Sequence, residues 1–473
     1  MSSELLALNY ISYDTPEVLC AAKATKKTQI AINPNRYDEC VGGEAIPIVM
    51  HKLPDCCYID GSKSSISLKL RVNVPEGSQM FCYAFDTLSA DEKNTGATII
   101  NLFSQVVHET NNSQILYREN FINQMQTIRE YRISKERKGF LSCVGGEVGS
   151  VGNRGVFKRP VYGCNRDTSF NIPLYLIAPF WNTAQLIPSR LLHESILTLI
   201  VNNPRLSLYA IGSNGTTNVP FPDGMTVSFS NIALNLYQSE LYNGINSAIK
   251  SSELHFPYYC YNNDIYFPNS PSFTYNINLA CSKLSYVALK FVKKVEATKS
   301  PIRCANVRDL GAYMNVGTET NAMDTNGLAI TIQARVGGMV FPTYPITTAV
   351  DAYIHTVEAI NQISYNNTEM PDPMKCQNKL MPGNVGYTDY NYSKQLQPYT
   401  IMPINGTSLG GVIFAINLEK SNIVGLSGIS TNGGRVLTIE INGLSNFADL
   451  ILYSQVKYMS IATMNENNII VSK

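Results

Sequence analysis

The chain has 473 residues with 37 basic side chains against 36 acidic ones, so its formal net charge is +1 and it offers nucleic acid or an anionic membrane no broad electrostatic pull. Charged residues make up 15% of it, against roughly 25% in typical soluble domains, and Asn, Ser, Thr and Tyr take their place. That length suits two units of about 200 to 250 residues, and a low-charge, Tyr-rich surface fits either contact with other subunits or a polar, loop-rich β protein.

Eleven cysteines without C-x-x-C spacing, Cys56 and Cys57 adjacent, make a disulfide framework a poor reading; they are expected to be reduced thiols of a chain made in the cytosol. Met1 to Leu8 lacks the basic flank and long apolar run of a signal peptide. The uncharged stretch Ser169–Ser189 is broken by Pro173, Pro179 and Pro188, so no transmembrane segment is expected there.

In chain order, an N-terminal arm through residue 25 precedes a succession of β runs separated by turn-formers. Lys27–Ile32 is the first. Ser64–Val74, with Ile66, Leu68, Leu70 and Val72 alternating, follows an expected turn at Asp60-Gly61 and ends at Pro75. Ala97–Val107 is the next strand. Ile115–Tyr131 then reads as helical, because Phe121, Ile122, Met125 and Ile128 share one face at period 3.6. Leu141–Cys164 is a Gly-rich loop. Phe170–Leu176, Ile196–Val201, Leu206–Ala210 and Thr226–Tyr237 complete the first half, and the polar Gln238–Leu254 is the expected linker.

The second half uses the same grammar. Phe273–Leu279 and Leu284–Val292 read as strands, and Lys299–Asn326 as a polar connection. Leu328, Ile330, Ile332, Ala334 and Val336 alternate, Gly337-Gly338 supplies a tight turn, and Met339–Phe341 pairs back until Pro342 and Pro345 stop it. A short amphipathic helix is expected next, with Val350, Tyr353, Ile354, Val357 and Ile360 on its stripe. Asn361–Thr407 reads as a long loop. Val412–Leu418, Arg435–Ile441 and Leu450–Ile461 close the chain, with Asn432-Gly433-Gly434 as a hairpin turn. Matching strand-then-helix steps recur about 220 to 230 residues apart, a coarse internal repeat. The fold expected is mainly β: two tandem jelly-roll β-sandwiches with short helices inserted in loops, as 1–25 arm, 26–245 first sandwich and 246–473 second.

Chemistry is sparse. Gly406-Thr407-Ser408-Leu409-Gly410 matches G-x-S-x-G, but a nucleophile elbow needs a strand before the Ser and a helix after it, whereas Pro403-Ile404-Asn405 precedes this one and a strand from Val412 follows. His51, His108, His193, His255 and His355 are too scattered for a metal site. Gly145, Gly146, Gly149, Gly152 and Gly155 lack both G-x-G-x-x-G order and a Lys-Ser/Thr ending. Arg132–Lys138 and Lys290–Lys299 read as solvated basic clusters. No catalytic, cofactor-binding or metal-binding residues are assigned, no cofactor is expected, and the chain is not expected to be an enzyme.

The order of these pieces resembles the double jelly-roll major capsid proteins of double-stranded DNA viruses, in particular those of virophages and polinton-like viruses. The residues that carry it are Tyr58-Ile59-Asp60, then Asn101-Leu102-Phe103 through Ile115-Leu116 to Phe121. Phe170-Asn171-Ile172-Pro173-Leu174, Leu186-Ile187-Pro188 and Ile196–Leu199 follow. Gln333-Ala334-Arg335-Val336-Gly337-Gly338 with Phe341-Pro342-Thr343-Tyr344-Pro345 is the most specific part, and Gly428–Asn432 and Tyr453–Val456 close it. The resemblance implies a structural protein of the virion, made in the host cytoplasm, that forms pseudo-hexameric homotrimeric capsomers of an icosahedral shell. Its partners would be neighbouring capsomers, penton proteins and minor capsid proteins, without sequence-specific nucleic-acid binding. The alternative is a carbohydrate-binding β-sandwich, an attachment protein, for which Trp181 is the only Trp and Tyr is plentiful.

Overall fold

The computed structural model describes residues 17–23, 28–31, 44–53, 57–85, 98–125, 144, 161–182, 186–204, 207–213, 219–240, 254–294, 327–348, 355–356, 358–359, 413–419, 428–444, 447–464 and 469–473. The first half contributes β1 (Glu17–Lys23), β2 (Thr28–Ala31), β3 (Ala45–Val49), β4 (Cys57–Asn73), β5 (Met80–Ala84), β6 (Phe103–Glu109) and β7 (Ile115–Asn120). It continues with β8 (Tyr162–Gly163), β9 (Thr168–Pro173), β10 (Ile187–Pro188), β11 (Ile196–Val201), β12 (Tyr209–Gly212) and β13 (Thr226–Glu240). The second half contributes β14 (Leu254–Tyr266), β15 (Phe273–Ile277), β16 (Leu284–Lys293), β17 (Gly327–Val336) and β18 (Met339–Thr348). It ends with β19 (Ile413–Asn417), β20 (Leu437–Asn442), β21 (Leu450–Met464) and β22 (Ile469–Ser472).

Among the described residues no strand of one half pairs with a strand of the other. The first half builds the sheet β1-β13-β4-β10, with β2 also on β13 and β9 also on β4, and a facing sheet β3-β11-β6-β7. The second half builds β14-β21-β16-β19 and β15-β20-β17-β18. Take β1 with β2, and β9 with β10, as single positions, and set aside β5, β8, β12 and β22. Counted in chain order, both halves then read 1-8-3-6 and 2-7-4-5. That order, with antiparallel neighbours throughout, is jelly-roll connectivity, and the chain runs it twice.

Alternation explains why the sheets face each other. Ile66, Leu68, Leu70 and Val72 of β4 and Val227, Phe229, Leu234 and Leu236 of β13 are all buried, and Phe103 of the opposite sheet meets Phe229 at 5.6 Å between ring centroids. In the second half Leu437, Ile439 and Ile441 lie beside Ile332, Ala334 and Val336, and Tyr275 Oη reaches Ser454 Oγ of the opposite sheet at 3.2 Å. Each buried Leu, Ile or Phe contributes about 1.5 to 3 kcal/mol, so both sandwiches are well filled, and their interiors run together in one apolar cluster that reaches from Ile46 to Met464.

Several expected elements differ. Asp60-Gly61 is not a turn but lies inside β4, where the register against β13 slips. A Cβ on Gly61 would sit 2.6 Å from the carbonyl oxygen of Trp181, so the position admits the backbone approach only without a side chain. Ile115–Asn120 is strand rather than helix; the helical residues follow it at 122–125, where Ile122 and Met125 are buried. Ile99–Leu102 is a 3₁₀ turn before β6, capped by Thr98 Oγ1 accepting from Ile100 N. Phe170–Leu176 is strand only to Pro173, and Leu174–Ile177 is a helical turn. Pro342 and Pro345 do not stop β18, because it is an edge strand and needs no second ladder there. Glu17–Lys23, expected in the arm, is β1 and pairs with β13, which its short run could not reveal without that partner. The stripe Val350, Tyr353, Ile354, Val357 and Ile360 lies outside the described residues, as does Ile128; residues 355–356 and 358–359 are helical, with Thr356 and Ala359 buried. The middle of the expected linker, 241–253, also lies outside them.

Candidate functional site at the junction of the two halves

β7 is the edge of one sheet of the first half and β14 the edge of one sheet of the second, and they run side by side without forming a ladder. The edge carbonyls of β7 are satisfied by side chains of the other half instead. Tyr258 Oη donates to Leu116 O at 2.8 Å and Asn263 Nδ2 to Asn120 O at 2.7 Å. Just beyond β7, Lys290 Nζ donates to Gln124 O at 2.7 Å. Lys290, expected on a solvated basic face, is therefore buried at the junction, whereas Lys294 of the same cluster is at the surface and donates to Ala448 O. An edge strand capped in this way cannot template pairing with another chain.

Behind β7 lies an aromatic cluster that joins the halves. Trp181 stacks on His108 with centroids 5.8 Å apart and planes 13° from parallel, and Trp181 Nε1 donates to Tyr117 Oη at 2.8 Å. Phe180 packs edge-on against Tyr258 of the second half at 5.1 Å and against Phe256 at 6.0 Å. Burial pushes the Tyr258 hydroxyl well above its ordinary range and the neighbouring Cys260 thiol up to about 12, so both are neutral.

His108 and Ser195 form the one buried Ser–His pair among the described residues, with Nε2 and Oγ 2.9 Å apart. Ser195 Oγ donates its hydrogen to Leu192 O at 2.9 Å, so it accepts from His108 Nε2–H, and Nδ1 carries the bare lone pair with no partner. Complete burial lowers the imidazole pKa to about 3. A neutral ring already donating, beside a hydroxyl whose proton is committed elsewhere, cannot activate a nucleophile. The pair is a structural bond of the core.

The outward face of the sheet β14-β21-β16-β19 is covered as well. Tyr286, Ala288, Ile413, Ala415, Ile451 and Tyr453 form a second apolar cluster with Met125 and Ala359, and Phe121 packs on Tyr453 at 5.5 Å. Lys457 is buried there, its ammonium 3.9 Å from the Tyr259 ring centroid.

The other sequence candidates scatter. His51 and His255 are exposed, His193 is half-buried, and His355 Nδ1 lies 3.7 Å from Glu358 Oε2. Among the described residues no group of His, Cys, Asp and Glu could hold a metal ion, and no helix is long and apolar enough to cross a membrane. Cys82, Cys164, Cys260 and Cys281 are free thiols. The G-x-S-x-G stretch, the glycines 145–155, Arg132–Lys138 and the loops Lys299–Asn326 and Asn361–Thr407 lie outside the described residues, as does most of Leu141–Cys164. Trp181 is fully buried and offers no ring to a sugar. In Phe341–Pro345, β18 makes an excursion between the pairs Ala334–Phe341 and Ile332–Ile346, held by Gln333 Nε2 donating to Pro342 O at 3.0 Å, and Tyr344 stands 82% exposed on it.

No protein-family model matches the chain, and no curated protein matches it in sequence. Solved structures do. PBCV-1 VP54, as fitted into a cryo-EM reconstruction of the virophage Sputnik, shares 9% identity at a TM-score of 0.52, covering 98% of this chain and 98% of that one. A chain of the Sputnik virophage cryo-EM structure shares 11% at 0.54, covering 95% and 89%. The Faustovirus major capsid protein shares 9% at 0.52, covering 95% and 91%. At these identities the likeness is one of architecture: this chain has the fold of the double jelly-roll major capsid proteins of double-stranded DNA viruses, virophages among them.

Proposed function

We propose that the chain is a major capsid protein whose homotrimers are the pseudo-hexameric capsomers of an icosahedral virion shell. The observation that carries this is the repeated strand order 1-8-3-6 and 2-7-4-5, which makes two equivalent lobes in one protomer. Three such protomers present a six-lobed outline able to fill hexagonal lattice positions. The bonded junction at β7 and β14 supports the reading, because a tile must keep its two lobes in fixed relation. In this reading the units divide near residue 245, and the chain's role is structural rather than catalytic. Its partners are neighbouring capsomers, penton proteins and minor capsid proteins, and it resides in the virion.

Sedimentation velocity on the purified full chain tests the capsomer, and a mass of three chains is expected at micromolar concentration. Electron microscopy should show six-lobed particles. A stable monomer throughout that range overturns the proposal.

A further inference from the structure

Three of the four main sheets have outward faces that need no explanation. The face of β14-β21-β16-β19 is covered within the chain. That of β15-β20-β17-β18 is polar, with Asn276, Gln333, Thr438 and Glu440. That of β4, β9 and β13 carries Ser67, Lys69, Arg71, Asn171 and Asn235. The sheet β3-β11-β6-β7 is different. Its register sets Val49, Ile196, Glu109 and Ile115 in one cross-strand row and Pro47, Thr198, Val107 and Arg118 in the next. Ile200 begins a third row. Directly opposed residues of an antiparallel pair share a face, and the inward residues Ile48, Leu197, Leu199 and Val106 are buried on the other side. The outward apolar residues are therefore Pro47, Val49, Val107, Ile115, Ile196 and Ile200. Val49 is 54% exposed and Ile115 44%.

We infer that this outward face is where a second copy of the chain packs. The inference rests on the capsomer reading and assigns its contact surface. From the strand spacing the face covers on the order of 300 Å², close to the largest apolar patch ordinary for a monomer and somewhat under half of the roughly 800 Å² per partner of a standard interface. It is thus the apolar centre of a contact whose polar rim extends further.

Three features of the molecule select a second copy as the occupant. The face is continuous with the lobe junction, because β7 belongs to both: Ile115 and Arg118 point outward while the carbonyls of Leu116 and Asn120 accept from the second half. The molecule already covers an apolar outward sheet face by packing part of one lobe against the other, at Phe121 and Met125. With a net charge of +1, identical chains meet almost no mutual repulsion, and Glu109 and Arg118 give the patch one charge of each sign.

The test uses the full chain. The double variant Val49→Arg/Ile196→Arg places two charges in the proposed contact, and Asn276→Arg/Thr438→Arg places two at equivalent depth on the polar sheet. Sedimentation velocity should show the first weakened in association by a factor on the order of 100 or more, with its β-sheet circular dichroism retained, and the second assembling as wild type. Carbene footprinting of the wild-type oligomer should show Val49 and Ile115 protected and Asn276 labelled, a result independent of whether the variants fold. Undiminished assembly of the first variant, or labelling of Val49 in the oligomer, overturns the surface assignment and leaves the capsomer reading standing. A wild-type chain that never associates overturns both.

Discussion

The sheets β3-β11-β6-β7 and β15-β20-β17-β18 hold the same place in twin sandwiches, yet they meet solvent in opposite ways. β20 reads Leu437-Thr438-Ile439-Glu440-Ile441-Asn442, strictly alternating, and its outward side chains bond one another: Thr438 Oγ1 donates to Asn276 Oδ1 at 2.9 Å and Arg335 pairs with Glu440 at 2.7 Å. Its counterpart β11 reads Ile196-Leu197-Thr198-Leu199-Ile200-Val201, nearly apolar throughout. A one-faced antiparallel sheet needs alternation, and a continuous apolar run belongs to a strand covered on both sides. One lobe is finished against water and the other is not. The strand order is the same in both lobes while the outward chemistry differs, as expected if the two lobes meet different neighbours.

The largest test of this comparison concerns the inner faces, which are alike. Leu199→Ala and Ile439→Ala each remove a fully buried side chain from equivalent sheets, and each is expected to lose about 2 to 5 kcal/mol in urea unfolding. A nearly neutral Leu199→Ala would break the comparison, since it would make the first sheet loose inside as well as bare outside.

Acid separates the lobes next. The inner face of the first lobe carries His108, whereas the matching sheet of the second carries no imidazole among its described residues. The folded pKa is lowered from 6.5 to about 3, so between those values the unfolded chain binds one more proton and stability rises with pH. This contribution is complete above pH 6.5 and is lost as pH falls, about 2 kcal/mol by pH 5. Urea titrations at pH 7 and pH 5 should show it, and His108→Gln should flatten the slope by about one proton. An unchanged slope in that variant would assign the acid sensitivity elsewhere.

The smallest effect belongs to the polar face. Arg335 is 48% exposed, so Arg335→Gln is expected to cost less than about 1 kcal/mol, and 1 M salt should erase the difference. A larger, salt-resistant loss would mean that this face, too, is covered.

Much of the architecture was legible in the residues. The alternation of Ile66–Val72 and of Ile330–Val336, and the turn at Gly337, whose φ is +60°, stand where the pattern put them. β14 was not legible, because Phe256-Pro257-Tyr258-Tyr259-Cys260-Tyr261 followed by Asn262-Asn263-Asp264 alternates aromatic with aromatic and ends in turn-formers. Both its faces are packed, Phe256, Tyr258 and Cys260 in the main core and Tyr261 in the cluster on the outward face, so no polar side marks the period. The helix read at Ile115 failed for a related reason. Phe121, Ile122 and Met125 do form a turn, but Leu116 and Tyr117 belong to a hairpin with β6, in which Tyr117 pairs with His108, and that partner lies just upstream of the segment Ile115–Tyr131. The candidate surface was half visible: Ala45–Val49 and Ile196–Val201 are both nearly continuous apolar runs.

The sequence by itself determined that the chain is β, that its grammar repeats, and that some strands ask to be covered on both sides, because side-chain alternation is a local property written one residue at a time. Only the tertiary structure decided that two such strands lie next to each other, that Val49 and Ile115 stand exposed on their shared outward face, and that β7 hands its edge carbonyls to Tyr258 and Asn263 across the junction. Register and neighbour are set by contacts between residues distant in the chain, such as Val49 with Ile196 and Leu116 with Tyr258, and their energy is gained only when the whole sandwich closes.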